Sequence, residues 1–321
     1  MACSPNDTLG CVIMRILLAG ATGFIGRRLA ELCMDVGHEV CAVARRADHH
    51  LPCRVIVAER PLDATSYAAA AAQVGSEIVI NLLAAGVEPA DRDVDRLLAA
   101  NAEFPARLAS VLPQAGVKAM IHMGSSAEYA ASPAATPLPE TAPLERNRLY
   151  GATKAAGSIL VQTTAKAAGL PVLVLRPFNI FGAGEKPHRL FPALERHLRR
   201  GEHVDLSEGT QIRDFLWVDD ACNTILVAAD ALLNGTIEPG EYNLASGNAT
   251  SVRDFVLTLA NVANSDKTLL RFGAIPMRPD DLPYVVADTT KLDKAIGVAG
   301  RTSLDQALMA ALRDLDRGGF H

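Results

Sequence analysis

The sequence predicts an α/β fold built on a doubly wound parallel sheet. Short apolar runs alternate with longer amphipathic or alanine-rich stretches, the pattern of strands and helices in a sheet covered on both faces. The first apolar run leads into a glycine-rich turn that opens a helical pattern. The chain has 321 residues, 49% hydrophobic and 21% charged, enough for a sizeable core. That length suits two domains or one large one with an elaborated end.

The strand candidates, in order, are Ile16–Ala19, Glu39–Ala44, Val55–Ala58, Ile78–Leu83, Ala119–Met123 and Val172–Leu175. The helical stretches between them are Gly26–Val36, Ala64–Val74, Arg92–Leu112 and Tyr150–Ala168. Ser132–Leu144 holds four prolines and few large apolar residues, so a mobile surface loop is expected. After about residue 178 the elements shorten and Gly, Pro and Arg become frequent, which suggests a smaller second region of returning segments. Residues 1–13 have neither a positive n-region nor a clean cleavage site. They are read as an unstructured extension, with the folded chain starting near Met14.

Composition excludes several classes. A net charge of −5 leaves no basic excess for nucleic acid or anionic membrane. No apolar run approaches the ~18–20 residues of a membrane span. The six cysteines form no C-x-x-C pair and no metal-type grouping with His, so no metal is expected, and they read as thiols of a reducing, cytoplasmic compartment. Alanine accounts for 53 residues, aromatics for only 15, and Arg outnumbers Lys 24 to 7. Each large side chain and each lysine therefore carries more information than usual.

Gly20-Ala21-Thr22-Gly23-Phe24-Ile25-Gly26 follows the first strand. Glycines let the backbone approach a pyrophosphate, and a helix N-terminus offers free N–H groups and a positive dipole end. An acidic residue at the end of the second strand would grip the adenosine ribose of NAD(H). Here that strand ends in Arg45-Arg46, which suits the 2′-phosphate of NADP(H), or equally forms an exposed basic turn in an Arg-rich chain. NADP(H) is favoured, and NAD(H) remains open because Asp48 could reach back. Asp63 could accept a hydrogen bond from the adenine amino group.

Tyr150 and Lys154 are spaced i, i+4 and share a helix face. A phenol of pKa ~10 needs a nearby cation to act near neutral pH, and Lys154 would supply it. Upstream, a strand-like segment runs into Gly124-Ser125-Ser126-Ala127-Glu128-Tyr129, where a hydroxyl could bond a substrate oxygen.

Together these motifs resemble the extended short-chain dehydrogenase/reductase family, in its branch acting on nucleotide-activated sugars. The resemblance covers nearly the whole chain from Met14. It includes Asn81-Leu82-Leu83-Ala84-Ala85-Gly86, Asn101, Arg176-Pro177-Phe178-Asn179, Arg213-Asp214-Phe215, Tyr242-Asn243-Leu244-Ala245-Ser246 and Arg278-Pro279-Asp280. It implies a Rossmann-type sheet with a smaller, interleaved C-terminal substrate-binding region. The dinucleotide domain would comprise 14–177 and 211–246, and the nucleotide-sugar region 178–210 and 247–321. Tyr150 would be the acid-base, Lys154 its pKa-lowering partner and a serine the hydrogen-bond donor. The cofactor would lie against Gly20, Gly23, Phe24, Ile25, Gly26, Leu83, Ala84, Ala85, Asn101, Pro177 and Phe178. Asn179, Arg213 and Arg278 would face the nucleotide-diphosphate sugar, with Ser125 and Glu128 near it. The helices at 92–112 and 150–168 would pair with a second copy as a four-helix homodimer interface.

One departure bears on the site. Ser125-Ser126-Ala127-Glu128-Tyr129 is one residue shorter than the family's usual Ser-Ser-Ala-x-Val-Tyr. Counting from the strand makes Ser126 catalytic; counting back from Tyr129 makes it Ser125. Ser126 is preferred, because a strand fixes geometry and a loop absorbs deletions. Ala127 stands where dehydratases of the family carry an acidic or hydroxyl residue, which counts against dehydration, although Glu128 could serve as a base. The expected activity is an NADP(H)-dependent reductase of a nucleotide-linked 4-keto-6-deoxysugar. An NAD-dependent 4-epimerase or 4,6-dehydratase is the alternative, and a non-catalytic dinucleotide-binding subunit the more distant one.

Overall fold

The computed structural model describes residues 13–47, 50–58, 60–88, 91–131, 135–278, 281–297 and 301–317. Residues 1–12 of the expected extension, and Asp48, lie outside the described residues. The strands are β1 (Arg15–Ala19), β2 (Glu39–Ala44), β3 (Arg54–Val57), β4 (Ile78–Asn81), β5 (Ala119–Met123), β6 (Val172–Pro177), β7 (Asn179–Phe181), β8 (Val204–Leu206), β9 (Ile212–Arg213), β10 (Phe215–Trp217), β11 (Gly240–Leu244), β12 (Thr250–Ser251), β13 (Leu270–Phe272) and β14 (Tyr284–Val285). The helices are α1 (Phe24–Asp35), α2 (Ala64–Val74), α3 (Val94–Leu98), α4 (Phe104–Val111), α5 (Leu149–Ala168), α6 (Leu190–Arg199), α7 (Val218–Leu233), α8 (Val252–Val262), α9 (Thr290–Ile296) and α10 (Leu304–Asp316).

Seven strands form one parallel sheet in the order β11-β6-β5-β4-β1-β2-β3. This is the Rossmann-type arrangement, with its change of winding direction between β1 and β4. Alternation along each strand assigns the two faces. Ile16, Leu18, Ile78, Ile80 and Ile121 pack with Leu29 of α1 and Ile225 of α7. Leu17, Val79 and Met120 pack with Tyr67, Phe104 and Val161 on α2, α4 and α5. The Tyr67 and Phe104 rings meet edge-on at 5.0 Å.

The helix expected over 92–112 is not continuous. A π-helical turn, Ala99–Glu103, separates α3 from α4, and the Phe104 N–H reaches back to the Ala99 carbonyl. Pro105 in the first turn of α4 has no N–H for the carbonyl four residues earlier, that of Asn101, so the regular ladder breaks there. The widened turn brings the Asn101 backbone against α5 at Gly157, where a Cβ would stand 1.8 Å from the Asn101 carbonyl oxygen.

Beyond β6 a separate apolar cluster joins α6, α8 and α10. Phe255, fully buried, stacks on Phe215 at 4.1 Å and meets Phe181 edge-on at 5.2 Å. Phe255→Ala should cost about 3–5 kcal/mol, read as a lowered denaturant midpoint with an unchanged slope. A midpoint unchanged from wild type would show that this cluster does not hold the region together.

Candidate active site

The predicted site residues gather at the carboxyl edge of the sheet, where an open α/β sheet receives ligands. At the end of β1 the chain turns into α1, and Gly26 is what lets the helix start there. A Cβ on Gly26 would lie 2.2 Å from the Gly20 carbonyl oxygen and 2.7 Å from the Ala21 Cα. Gly23 caps α1 without any side-chain hydrogen bond, so Phe24, Ile25 and Gly26 begin a helix that no side chain of its own caps. Bare N–H groups at a positive helix end fit a dinucleotide pyrophosphate, and a cradle that any side chain would fill leaves room for it.

Around this turn the expected cofactor residues separate into two kinds. Ala19 pairs with Val43, so the end of β2 delivers Arg45 and Arg46 to the same edge as the glycine turn. Both are exposed, and among the described residues neither guanidinium has a hydrogen bond or ion pair. Asp63, expected near adenine, has structural work as well. It caps α2, with one oxygen accepting from the Thr65 N–H and hydroxyl and the other from the Ser66 hydroxyl at 2.6 Å. Those hydroxyl bonds, Ser66 first, hold its carboxyl below the usual range. On the other side, buried Asn101 accepts from the Ala85 N–H at 2.9 Å and donates to the Ala85 carbonyl and the Thr153 hydroxyl, both at 3.1 Å. It thereby clamps the Leu83-Ala84-Ala85 loop to α5. Asn81 adds a second clamp that the sequence reading missed, accepting from the Leu83 N–H and donating to the buried His122 ring.

Tyr150 and Lys154 stand one turn apart on α5. Glu145 organises the start of this helix, its Oε1 accepting from the N–H groups of Arg146, Asn147 and Arg148. Gly151 permits the close approach of the neighbouring chain, since a Cβ there would lie 2.1 Å from the Ala127 carbonyl oxygen. Lys154 is 1% exposed, and its Nζ donates to the Met123 carbonyl at 2.6 Å, at the end of β5. Burial pulls its ammonium down to about 8, and Glu128 opposes that fall. Burial raises the Tyr150 phenol, while the Ser125 side chain, as a hydrogen-bond partner, lowers it.

That last contact bears on the choice of serine. Ser126 was preferred by counting from β5, but the hydroxyl beside Tyr150 belongs to Ser125. A capping box sets the register. Ser125 caps the 3-10 turn Ser126–Glu128, accepting from the Ala127 N–H at 3.1 Å, while Glu128 reaches back to the Ser125 N–H at 2.9 Å. The Ser-x-x-Glu spacing is a turn-start signature legible in the sequence.

Glu128 also departs from expectation. It was read as a group near the substrate, yet it is 0% exposed and its oxygens are occupied within the protein. Oε1 accepts from the Ser125 N–H and the Ser158 hydroxyl, and Oε2 from Arg176 Nε at 2.8 Å. Arg176, 1% exposed, donates to the Tyr129 hydroxyl and the Glu140 carbonyl, and Tyr129 donates to Asn243 Oδ1 at 2.6 Å. Asn243 holds the Leu138 and Asp288 carbonyls, and its N–H donates to Glu140. The described part of the proline-rich loop, expected to be mobile, is therefore a tethered strap. Leu138 is buried and bridges to Ala287, and Tyr129 bridges to Leu144.

On the substrate side, Asn179 opens β7 half-buried next to the buried Phe178. Arg213 is half-buried and ion-paired with Asp281, which also accepts from Gln211. Arg278 is exposed, its carbonyl accepts from the Asp281 N–H at 3.1 Å, and its guanidinium has no ion pair among the described residues. Two loops meet over Tyr150. Glu88 from one accepts from Lys186 at 2.5 Å and pairs with His188 at 2.9 Å from the other. Their arginines, Arg189 and Arg92, both act electrostatically on the phenol. No described helix is long and apolar enough to cross a membrane.

Comparison with known proteins follows the same lines. The NAD dependent epimerase/dehydratase family matches residues 16–245. The dTDP-6-deoxy-L-talose 4-dehydrogenase (NAD(P)(+)) of Kitasatospora kifunensis is 26% identical over 302 residues, covering 92% of this chain and 93% of that protein. The UDP-glucose 4-epimerase of Thermotoga maritima, solved with UDP-glucose, has the same fold. It superposes with a TM-score of 0.83 at 24% identity, over 95% of this chain and 99% of that one. MoeE5, solved with UDP-glucuronic acid and NAD, gives 0.79 at 27% identity over 95% and 99%. The chain thus belongs to the NAD dependent epimerase/dehydratase family and is an NAD(P)-dependent enzyme of the oxidoreductase and epimerase type.

Proposed function

We propose that this enzyme is an NADP(H)-dependent reductase of a nucleotide-diphosphate 4-keto-6-deoxysugar. The observation that carries the choice of cofactor is the exposed Arg45-Arg46 pair at the end of β2, beside the glycine turn. Two uncommitted guanidiniums there match a 2′-phosphate, and the one acidic residue of β2, Glu39, opens the strand at the end away from them. When bound, the reduced nicotinamide supplies a hydride. Tyr150 donates its phenolic proton to the keto oxygen, and Ser125 hydrogen-bonds the same oxygen. Lys154 offsets the phenolate charge left behind. Arg278 and Arg213 hold the diphosphate, Arg213 by exchanging Asp281 for it, and Asn179 faces the sugar. The 6-deoxyhexose dehydrogenase named above supports a keto-sugar reaction. Glu128 is committed to Arg176 and offers no free base for an elimination.

A 4-epimerase is the second reading, favoured by MoeE5, whose structure carries NAD together with a nucleotide sugar. It requires NAD retained through turnover. Arg45→Ala with Arg46→Ala should weaken NADPH binding about 10- to 100-fold and leave NADH within about threefold, as expected for charge-assisted bonds to one phosphate. Equal weakening of both cofactors rejects the 2′-phosphate reading, and NAD that co-purifies and survives gel filtration selects the epimerase. Exposed apolar residues on α3 and α5, namely Val94, Leu98, Ile159 and Leu160, support the expected homodimer through these helices.

A further inference from the structure

We infer that Glu128 is a positioning residue for both halves of the catalytic set, anchoring the backbone of Ser125 and standing as the buried counter-charge of Lys154. The inference rests on Ser125, Tyr150 and Lys154 forming that set. It takes Glu128 out of the substrate's reach and gives it a different task.

The geometry brackets the carboxylate closely. Oε1 accepts from the Ser125 N–H at 2.9 Å and from the Ser158 hydroxyl at 2.9 Å. Ser158 lies four residues beyond Lys154 on the same face of α5, so the carboxylate sits one turn along from the ammonium. On the other side, Oε1 lies over Gly124, where a Cβ would be only 2.4 Å away, and Gly124 follows the Met123 whose carbonyl holds Lys154 Nζ. The two charges thus share one dry pocket, with Lys154 1% and Glu128 0% exposed.

The other groups around this pocket do not replace Glu128. His122, on β5, is held neutral by burial. Arg176, on β6, bonds Oε2 and is itself a cation. Tyr129 follows the turn and donates its proton to Asn243. Tyr150, on α5, is a neutral phenol until it reacts. Burial works against the Lys154 charge, and Glu128 is the carboxylate that opposes it. A buried ammonium needs such a partner, and an opposite charge close by stabilises the charged form. Arg176 and the tethered strap in turn hold Glu128 in place.

The test is Glu128→Gln, which keeps the shape and removes the charge. Because that variant leaves buried Arg176 with only the longer ion pair to Glu241, at 3.4 Å, Glu128→Gln with Arg176→Met is made alongside it. Removing both members of a buried ion pair is commonly neutral or stabilising. With only seven lysines in the chain, the Lys154 side chain can be followed by NMR in isotope-labelled protein. In wild type it should titrate near 8. In either folded variant it should titrate at least about one pH unit lower, and the alkaline limb of kcat/KM should move down with it. At pH 8, kcat should fall about 10- to 100-fold, with KM for the cofactor changed less than threefold. An unchanged Lys154 midpoint in the folded double variant overturns the inference. The NMR titration needs no substrate, so it fails or succeeds separately from the proposed sugar chemistry.

Discussion

Tyr150→Phe should lower turnover about 10²–10⁴-fold while leaving dinucleotide affinity within about twofold. The substitution removes one oxygen and nothing else. Tyr150 is half-buried on α5, and its phenol has one hydroxyl neighbour, Ser125. The ring keeps its packing, because Gly151 still seats α5 against the Ala127 carbonyl and Glu145 still organises the first turn. Burial already pushes the phenol up, so its proton is in place at neutral pH, as a general acid in reduction requires. The cost of the missing proton should therefore appear in kcat and in kcat/KM together. Single-turnover cofactor oxidation measured beside equilibrium cofactor binding checks this. Turnover equal to wild type would remove Tyr150 from the chemistry.

Gly26→Ala should be the most damaging small substitution in the cofactor half. A methyl group there would lie 2.2 Å from the Gly20 carbonyl oxygen, a backbone atom that cannot swing aside. Either α1 moves off the turn or the turn opens, at about 1–3 kcal/mol of overpacking strain. Both responses move the helix N-terminus away from the pyrophosphate, so dinucleotide affinity should fall at least about tenfold. Gly23→Ala is the matched comparison, since its Cβ would make ordinary contact at 3.4 Å. Calorimetric melting and cofactor titration of both variants separate packing from contact. Equal melting temperatures and equal affinities for Gly26→Ala and wild type would mean that the turn is looser than the geometry states.

The sheet was legible because its signals are local. Alternating strand and helix patterns placed the first six strands of the sheet to within a few residues, and the glycine turn was found at its place after β1. The last strand, β11, came into view only as a motif, because its place in the sheet depends on pairing with β6. What stayed hidden was long-range. Nothing near Glu128 in the sequence announces Arg176, 48 residues away, so a carboxylate in a substrate-like motif read as a substrate group. The proline-rich loop misled for a related reason: prolines and small residues describe a segment's own preferences, while its tethers come from residues 243, 286 and 288. The Ser125 cap was recoverable, since its spacing to Glu128 is a capping signature. Tyr129 and Phe178 pack together beneath the cleft, whereas Phe215 belongs to the apolar cluster of α6, α8 and α10.

The tethered strap bears on the order in which the working enzyme comes into being. The glycine turn itself lies within the first hundred residues, whereas the hydroxyl of Tyr129 and the carbonyl of Leu138 wait for Asn243, more than a hundred residues later. Chains emerge from the ribosome N-terminus first, and their early parts fold as they appear. During synthesis the nascent chain therefore acquires the glycine turn well before it acquires the partners that tether the strap. The strap gains Asn243 only when β11, the last strand of the sheet in chain order, docks on β6.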